Sequence, residues 1–278
     1  MKKIINFSHK SKKIGLQLNS IKKIEAIIKK NNGKLFIIGG NVRDLVQEKK
    51  ISSFPDLVTD LDTNKTLDLL DKAKIKYSKE GIKFGSIKIL MDNLFFDLTS
   101  MRKDIETDGR WAKIKPTDNL FEDAKRRDFT INSIYCDTKG NIFDPFNGLN
   151  DLKNRKVKFI GNPEKRIDED YLRILRFLRF SLIYSKDFDI KGLNSCTKNI
   201  KKLSLLSFER RFQELEKIIT LEKIEKNKKF TVLMNFVEES LEKKTSFEKF
   251  KELSSIEKEL SDISFQRRIK FLLRDANK

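Results

Sequence analysis

Apolar positions recur at two different spacings along the chain, and the change from one to the other divides it. Isoleucines at 21, 24, 27 and 28 mark one face of a helix, with Ser20 placed to cap its start and Asn31-Asn32-Gly33 to end it. Lys34-Leu-Phe-Ile-Ile38 follows as a short β-branched run. The spacing therefore predicts a strand, a glycine turn at Gly39-Gly40 and a helix from Val42 to Val46. Ser86–Leu90, Leu94–Thr99 and Ile142–Phe143 read as further strands, the first two joined by a tight turn at Met91-Asp92-Asn93. From Pro163 onward the strand pattern stops. Asp168–Tyr184 and Phe208–Ile219 have helical periodicity, and the segment to Lys278 reads as short amphipathic helices. The pattern predicts an α/β head of about 150 residues and an all-α remainder.

Composition narrows the function classes. The chain has 278 residues, 38% hydrophobic and including 22 Phe, enough for packed cores in two or more domains. Only 11 Gly and 4 Pro exclude a collagen-like chain. The longest apolar stretches are strand-sized, which excludes a spanning helix. The basic first residues lack the apolar core of an export signal, so the expected location is cytoplasmic and the expected partners include no membrane. Two cysteines, Cys136 and Cys196, are too few for a disulfide framework or a structural zinc site. A balance of 60 Lys+Arg against 41 Asp+Glu gives a net charge of +19. Such an excess calls for a polyanion, nucleic acid first; the alternative is a solvated face in a lysine-rich composition. The excess is steepest at the front, where residues 1–34 hold ten Lys and one acid, Glu25.

Three segments carry candidate chemistry. Gly39-Gly40-Asn-Val-Arg43-Asp44 lacks the ending of a P-loop, yet paired glycines between a strand and a helix N-terminus let backbone N–H groups approach a phosphate, and Arg43 adds a fork. Arg126 and Arg127 are suited to gripping a triphosphate bidentately. Asp170 and Arg173 lie three apart, adjacent on one face of the expected helix. By spacing alone they read as an i,i+3 ion pair.

These segments belong to a longer ordered set. Gly39-Gly-x-Val-Arg-Asp44, Asp56-Leu-Val-Thr59, Gly81-Ile-Lys-Phe-Gly85, Asp97-Leu-Thr, Asp108-Gly-Arg110, Arg126-Arg-Asp-Phe-Thr-Ile-Asn132, Asp144-Pro-Phe-Asn-Gly148, Gly161-Asn-Pro-Glu-Lys-Arg166, Glu169-Asp-Tyr-Leu-Arg-Ile-Leu-Arg176 and Ser207-Phe-Glu-Arg210 stand in one order. In that order the chain resembles bacterial class II tRNA nucleotidyltransferases, the CCA-adding enzymes, and related poly(A) polymerases. The resemblance covers residues 36–216. It implies an α/β nucleotidyltransferase head with a mixed sheet and helices over 1–150, an all-α neck that selects the base over 151–220, and a short helical body over 221–278. That body looks short for the family, so a truncated or minimal RNA-binding region is expected.

The resemblance assigns Gly39, Gly40, Arg43, Arg126 and Arg127 to nucleotide phosphates, Asp170 and Arg173 to the base, Arg176 to a further nucleotide contact, and Asp108 and Arg110 to a flexible loop that accompanies A addition. Glu209-Arg210 is similar to the pair that buttresses the base-reading residues. A carboxylate accepts from the amino group of cytosine or adenine while a guanidinium donates to the adjacent ring acceptor, so uracil and guanine present the wrong edge.

The family also uses an Asp-x-Asp pair and a third carboxylate from a neighbouring strand to hold Mg²⁺ for attack of a 3′-hydroxyl on the α-phosphate. Here the preferred register makes Asp56 the second member of the pair, puts Phe54 where the first should stand, and leaves Asp97 as the third, so Asp56 and Asp97 are the expected catalytic metal ligands. A rival register uses Asp60-Leu-Asp62. The implied activity is Mg²⁺-dependent addition of CMP and AMP from CTP and ATP to tRNA. Poly(A) polymerase, or a catalytically impaired RNA-binding relative with Phe54 at a ligand position, are the alternatives.

Overall fold

In a computed structural model, residues 2–4, 6–50, 54–82, 85–107, 112–245, 247–260 and 262–273 are described. They divide into two compact units, Met1–Thr107 with Ala112–Leu152, and Lys153–Lys278. The second unit takes in both the segment expected as neck and the one expected as body.

The first unit is built on an eight-stranded mixed sheet. Its strands are β1 (Lys2–Lys3), β2 (Leu35–Ile38), β3 (Asp56–Thr59), β4 (Lys76–Ser78), β5 (Ser86–Met91), β6 (Leu94–Ser100), β9 (Tyr135–Cys136) and β10 (Asn141–Phe143), in the order β1-β10-β9-β2-β3-β6-β5-β4. A separate hairpin, β7 (Arg102–Thr107) with β8 (Ala112–Pro116), has no counterpart in the periodicity of the sequence. Among the described residues only the β3–β6 pair is parallel.

Side chains of successive strand residues alternate between the two faces. Leu35, Ile37, Leu57, Ile87, Ile89, Phe96 and Leu98 point into the larger core. That core is closed by apolar residues of α1 (Phe7–Ile14), α2 (Leu18–Lys29), α3 (Gly40–Gln47) and α4 (Thr63–Lys72), among them Ile21, Ile24, Ile28, Val42, Leu45 and Leu70. Ile38 and Val58 point the other way, into a smaller cluster with Met101, Tyr135 and Ala124 of α5 (Leu120–Lys125). One face of the sheet is thickly covered and the other thinly.

Local chemistry explains most element ends. Asp92 and Asn93 both have positive φ, 52° and 62°, as a two-residue turn of the type I′ class demands, so β5 and β6 form the expected hairpin. Ser20 departs from expectation. It lies inside α2, and its hydroxyl donates to Asp92 at 2.7 Å, because burial beside the hairpin turn offers it a carboxylate in place of the helix end. Asp144 accepts from Gly148 and Leu149 N–H at 2.7 and 2.9 Å and starts α6 (Gly148–Lys153). A Cβ at Gly148 would lie 2.1 Å from the Thr130 carbonyl oxygen, so no other residue fits there.

The second unit consists of α7 (Pro163–Glu169), α8 (Leu172–Tyr184), α9 (Ile190–Lys198), α10 (Phe208–Ile219), α11 (Phe230–Leu241), α12 (Phe247–Leu260) and α13 (Phe265–Leu272). The expected single helix over 168–184 is broken. Asp170 is extended, φ −159° and ψ 108°, and its carboxylate accepts from Leu172 N–H at 3.1 Å, a short polar side chain outcompeting the helical backbone. Buried ion pairs tie the helices: Arg179 to Glu214 at 2.5 Å between α8 and α10, and Arg268 to Glu257 at 2.6 Å between α12 and α13. Among the described residues no helix is long and apolar enough to cross a membrane. Both cysteines are buried and unpaired, and burial pushes the Cys136 thiol up to about 12.

The hairpin turn is the sharpest test of this fold. Asn93→Gly should leave stability unchanged or slightly raised, while Asn93→Val, a β-branched residue forced to positive φ, should cost about 1–2 kcal/mol in urea unfolding.

Candidate active site

The site grows from the parallel pairing of β3 with β6. Asp56 stands opposite Asp97, and Leu57, Val58 and Thr59 follow opposite Leu98, Thr99 and Ser100. Asp56 has the same parity as Val58, so both carboxylates point to the thinly covered face. Asp60 and Asp62 are occupied elsewhere. Asp60 accepts from the Lys34 N–H at 2.6 Å, and Asp62 caps α4 by accepting from Lys65 N–H at 2.9 Å. Of the three candidate aspartates, the one paired with Asp97 in the sheet is Asp56.

The glycine turn comes to the same place. Gly39 adopts φ 67°, ψ −131°, a conformation open in practice to glycine alone, and a Cβ there would sit 3.2 Å from an Asp56 carboxylate oxygen. Gly40 begins α3, so the start of that helix lies next to the Asp56 carboxylate. Asn41 accepts from the Asp56 N–H at 3.1 Å and fixes the strand start against the helix.

Arg43 and Arg127 supply the positive side. Burial, and then the Asp97 carboxylate, push the Asp56 carboxyl above the usual aspartate range; Arg127 and Arg43 pull against that shift. Arg43 is buried and donates to Asn132, whose amide donates at 2.8 Å to Asp128. Arg127 is held by Asp123 at 2.8 Å and by the Tyr135 hydroxyl at 2.9 Å, and Tyr135 donates to the same carboxylate at 2.6 Å. Arg126 lies across the other Asp123 oxygen at 2.7 Å. Burial would raise Asp123, but Arg127 and Arg126 outweigh it and hold the carboxyl well below the usual range. Burial, with Arg126 close by, brings the Arg102 guanidinium down to about 10.

Asp123, Tyr135, Asn132 and Asn41 escape the sequence reading. No short spacing links Asp123 to Tyr135, and the only hint is that Asn132 closes the Arg126–Asn132 motif.

Phe54, at the expected first ligand position, is 54% exposed and meets Phe95 edge to face, ring centroids 5.9 Å apart. Among the described residues no group of three or more His, Cys, Asp or Glu could hold a metal.

The base-reading candidates lie in the second unit. Asp170 and Arg173 do not share a helical face, because Asp170 sits in the break between α7 and α8. Each has its own partner. Arg210 of α10 donates to both Asp170 oxygens, at 3.0 and 3.1 Å, and Arg173 donates to Glu169 at 2.6 Å and to the Arg166 carbonyl at 2.7 Å. Arg176, one turn further along α8, lies 5.4 Å from the Phe180 ring centroid. Asp108 and Arg110 fall outside the described residues.

Residues 35–158 match the family model described as the poly A polymerase head domain. The chain is 39% identical over 204 residues to the mitochondrial CCA tRNA nucleotidyltransferase 1 of Mus musculus, covering 72% of this chain and 47% of that one. It is 32% identical over 214 residues to the CCA-adding enzyme of Staphylococcus epidermidis, covering 75% and 52%. The chain thus spans about half the length of the curated relatives it matches. Among solved structures it is similar to the Bacillus stearothermophilus CCA-adding enzyme in complex with CTP, with TM-score 0.67, 27% identity, and coverage of 76% of this chain and 50% of that one. A head matched by its own family model, ordered motifs continuing into the helical unit, and relatives of one kind agree: the chain belongs to the class II CCA-adding enzyme and poly(A) polymerase family.

Proposed function

We propose that the chain transfers CMP and AMP from CTP and ATP to the 3′ end of tRNA without a nucleic-acid template. The observation that carries this reading is the Asp56–Asp97 pair, side by side in the parallel register with the Gly39 backbone and two arginines around it, in a chain whose relatives are CCA-adding enzymes. In the reaction the 3′-hydroxyl oxygen bonds to the α-phosphorus, the bond to the β,γ-pyrophosphate breaks, and the hydroxyl proton passes to solvent.

The donor set fits a hard divalent cation. Mg²⁺ is commonly held by one or two carboxylates plus substrate phosphates, and a half-buried like-charge pair that raises the Asp56 pKa is a site short of positive charge. Asp56 and Asp97 would hold that ion, which, when bound, polarises the phosphate and favours the ionised hydroxyl. The chain's own groups do the rest. N–H groups at the start of α3 meet phosphate oxygens, and Arg43 and Arg127 neutralise charge gathering on the leaving pyrophosphate. Asn132 keeps Arg43 aimed, and Asp123 with Tyr135 keeps Arg127 aimed.

In the neck, residues 151–220, Asp170 accepts from a base amino group while Arg173 donates to the ring acceptor. Asp170 retains lone pairs beyond those Arg210 uses, and Glu169 fixes the fork of Arg173. Residues 221–278 serve as the helical body, and the +19 charge supplies the attraction for tRNA.

The decisive assay uses a tRNA transcript lacking its last three nucleotides, with labelled CTP, ATP or both, and Mg²⁺. Both nucleotides together should add three residues. A long tail from ATP alone would favour the poly(A) reading, which the head-domain match keeps in view. Tight RNA binding with incorporation only after Phe54→Asp would mark an impaired site.

Arg173→Ala should relax selection of CTP and ATP over UTP and GTP by roughly 5- to 150-fold, the worth of one bidentate base contact of about 1–3 kcal/mol. Binding of inorganic triphosphate should be unchanged.

Asp97→Asn separates the metal from the fold. A raised folded-state pKa means that the ionised pair opposes folding above the usual aspartate range. Asp97→Asn should therefore melt higher than the parent in chelator at pH 7, and the difference should vanish as the pH falls and Asp56 is protonated in both. Mg²⁺ at a hundred times its Kd should stabilise the parent by about 2.7 kcal/mol and the variant far less, read as a shift in Tm.

A further inference from the structure

Phe54 and Phe95 lie beside the carboxylate pair on the same sheet face. Continuing the parallel register two residues back from Asp56 and Asp97 brings Phe54 opposite Phe95, and the same parity turns both rings toward the thinly covered side. The rings meet at 84°, so at least one ring keeps both of its π-faces clear of its partner. They are 54% and 44% exposed, in a chain that buries Phe96, Phe129, Phe177, Phe236 and Phe250 almost completely.

A phenyl ring neither coordinates a cation nor forms a conventional hydrogen bond with a phosphate. What it offers is a face on which a base can stack, with little preference among bases. Two residues along a strand is about 6.6 Å, so the platform stands one nucleotide's reach from the carboxylates. The incoming nucleotide's base is assigned to Asp170 and Arg173. The other base attached to a reacting atom is that of the acceptor's 3′-terminal nucleotide.

We propose that Phe54 and Phe95 form a stacking platform for the terminal base of the RNA acceptor, so that Phe54 positions the attacking strand. This rests on the nucleotidyltransferase reading above. A platform indifferent to base identity suits an acceptor whose last base changes with every addition.

The test uses the full chain and a short RNA carrying 2-aminopurine at its 3′ terminus, with the terminal hydroxyl replaced by hydrogen so that no extension occurs. The parent should quench the fluorophore by stacking. Phe54→Leu and Phe95→Leu keep apolar bulk but lose the π-face. Each should lose most of the quench and bind the RNA about tenfold more weakly, with Tm and inorganic triphosphate affinity unchanged. Phe54→Trp should keep the quench. An RNA with 2-aminopurine six nucleotides from the end should not distinguish the variants. No quench by the parent, or equal quench by parent and both Leu variants, overturns the platform whether or not the enzyme incorporates nucleotides. A parent that quenches the terminal base in the expected pattern yet incorporates nothing upholds the platform and overturns the catalytic reading.

Discussion

Two carboxylates held side by side against their own repulsion set the terms for the first unit. Asp56 and Asp97 gain nothing from each other, and the parallel pairing of β3 with β6 survives because Leu57, Leu98 and Phe96 are buried in the larger core beneath it. One face of the sheet supplies the stability that the other face spends on charge. The thin cover over the second face follows from the same division, since helices α1 to α4 pack on the first.

In each unit, the charged side chains singled out above are themselves held by second polar groups. Arg43 rests on Asn132, which rests on Asp128; Arg127 rests on Asp123 and Tyr135; in the helical unit Asp170 rests on Arg210 and Arg173 on Glu169. Such chains restrict guanidinium and carboxylate to one orientation before any substrate arrives, which lowers the entropy lost on binding. They also explain the density of polar residues around Arg126–Asn132. Asp128 and Asn132 are buried because they hold an arginine, and Thr130 because its hydroxyl donates to Asp151 at 2.8 Å.

The aromatic pair shows how the register carries past the strand. Phe54 and Phe95 precede Asp56 and Asp97 by two residues each, and their rings meet edge to face, 5.9 Å between centroids, while both stay well exposed. The polar carboxylate pair is thus preceded by an apolar surface within the same pairing.

Periodicity and turn chemistry determined the head's main strands and the all-α second half, because both are local properties: alternation along a strand, and Asp92-Asn93 tolerating positive φ. Motif order determined the identities of Gly39, Gly40, Arg43, Asp56 and Asp97 as site candidates. Which aspartate faces Asp97 was open in the sequence, since Asp56, Asp60 and Asp62 are all plausible by spacing, and only the strand register and the separate duties of Asp60 and Asp62 decide it. The β7–β8 hairpin and the break at Asp170 likewise needed the tertiary structure, the first because its strands carry little apolar alternation, the second because a side chain captures the backbone. Asp123 and Tyr135 were invisible for the same physical reason: their contact joins α5 to β9 across the thin face, and no sequence spacing encodes a bond made by two elements meeting in space.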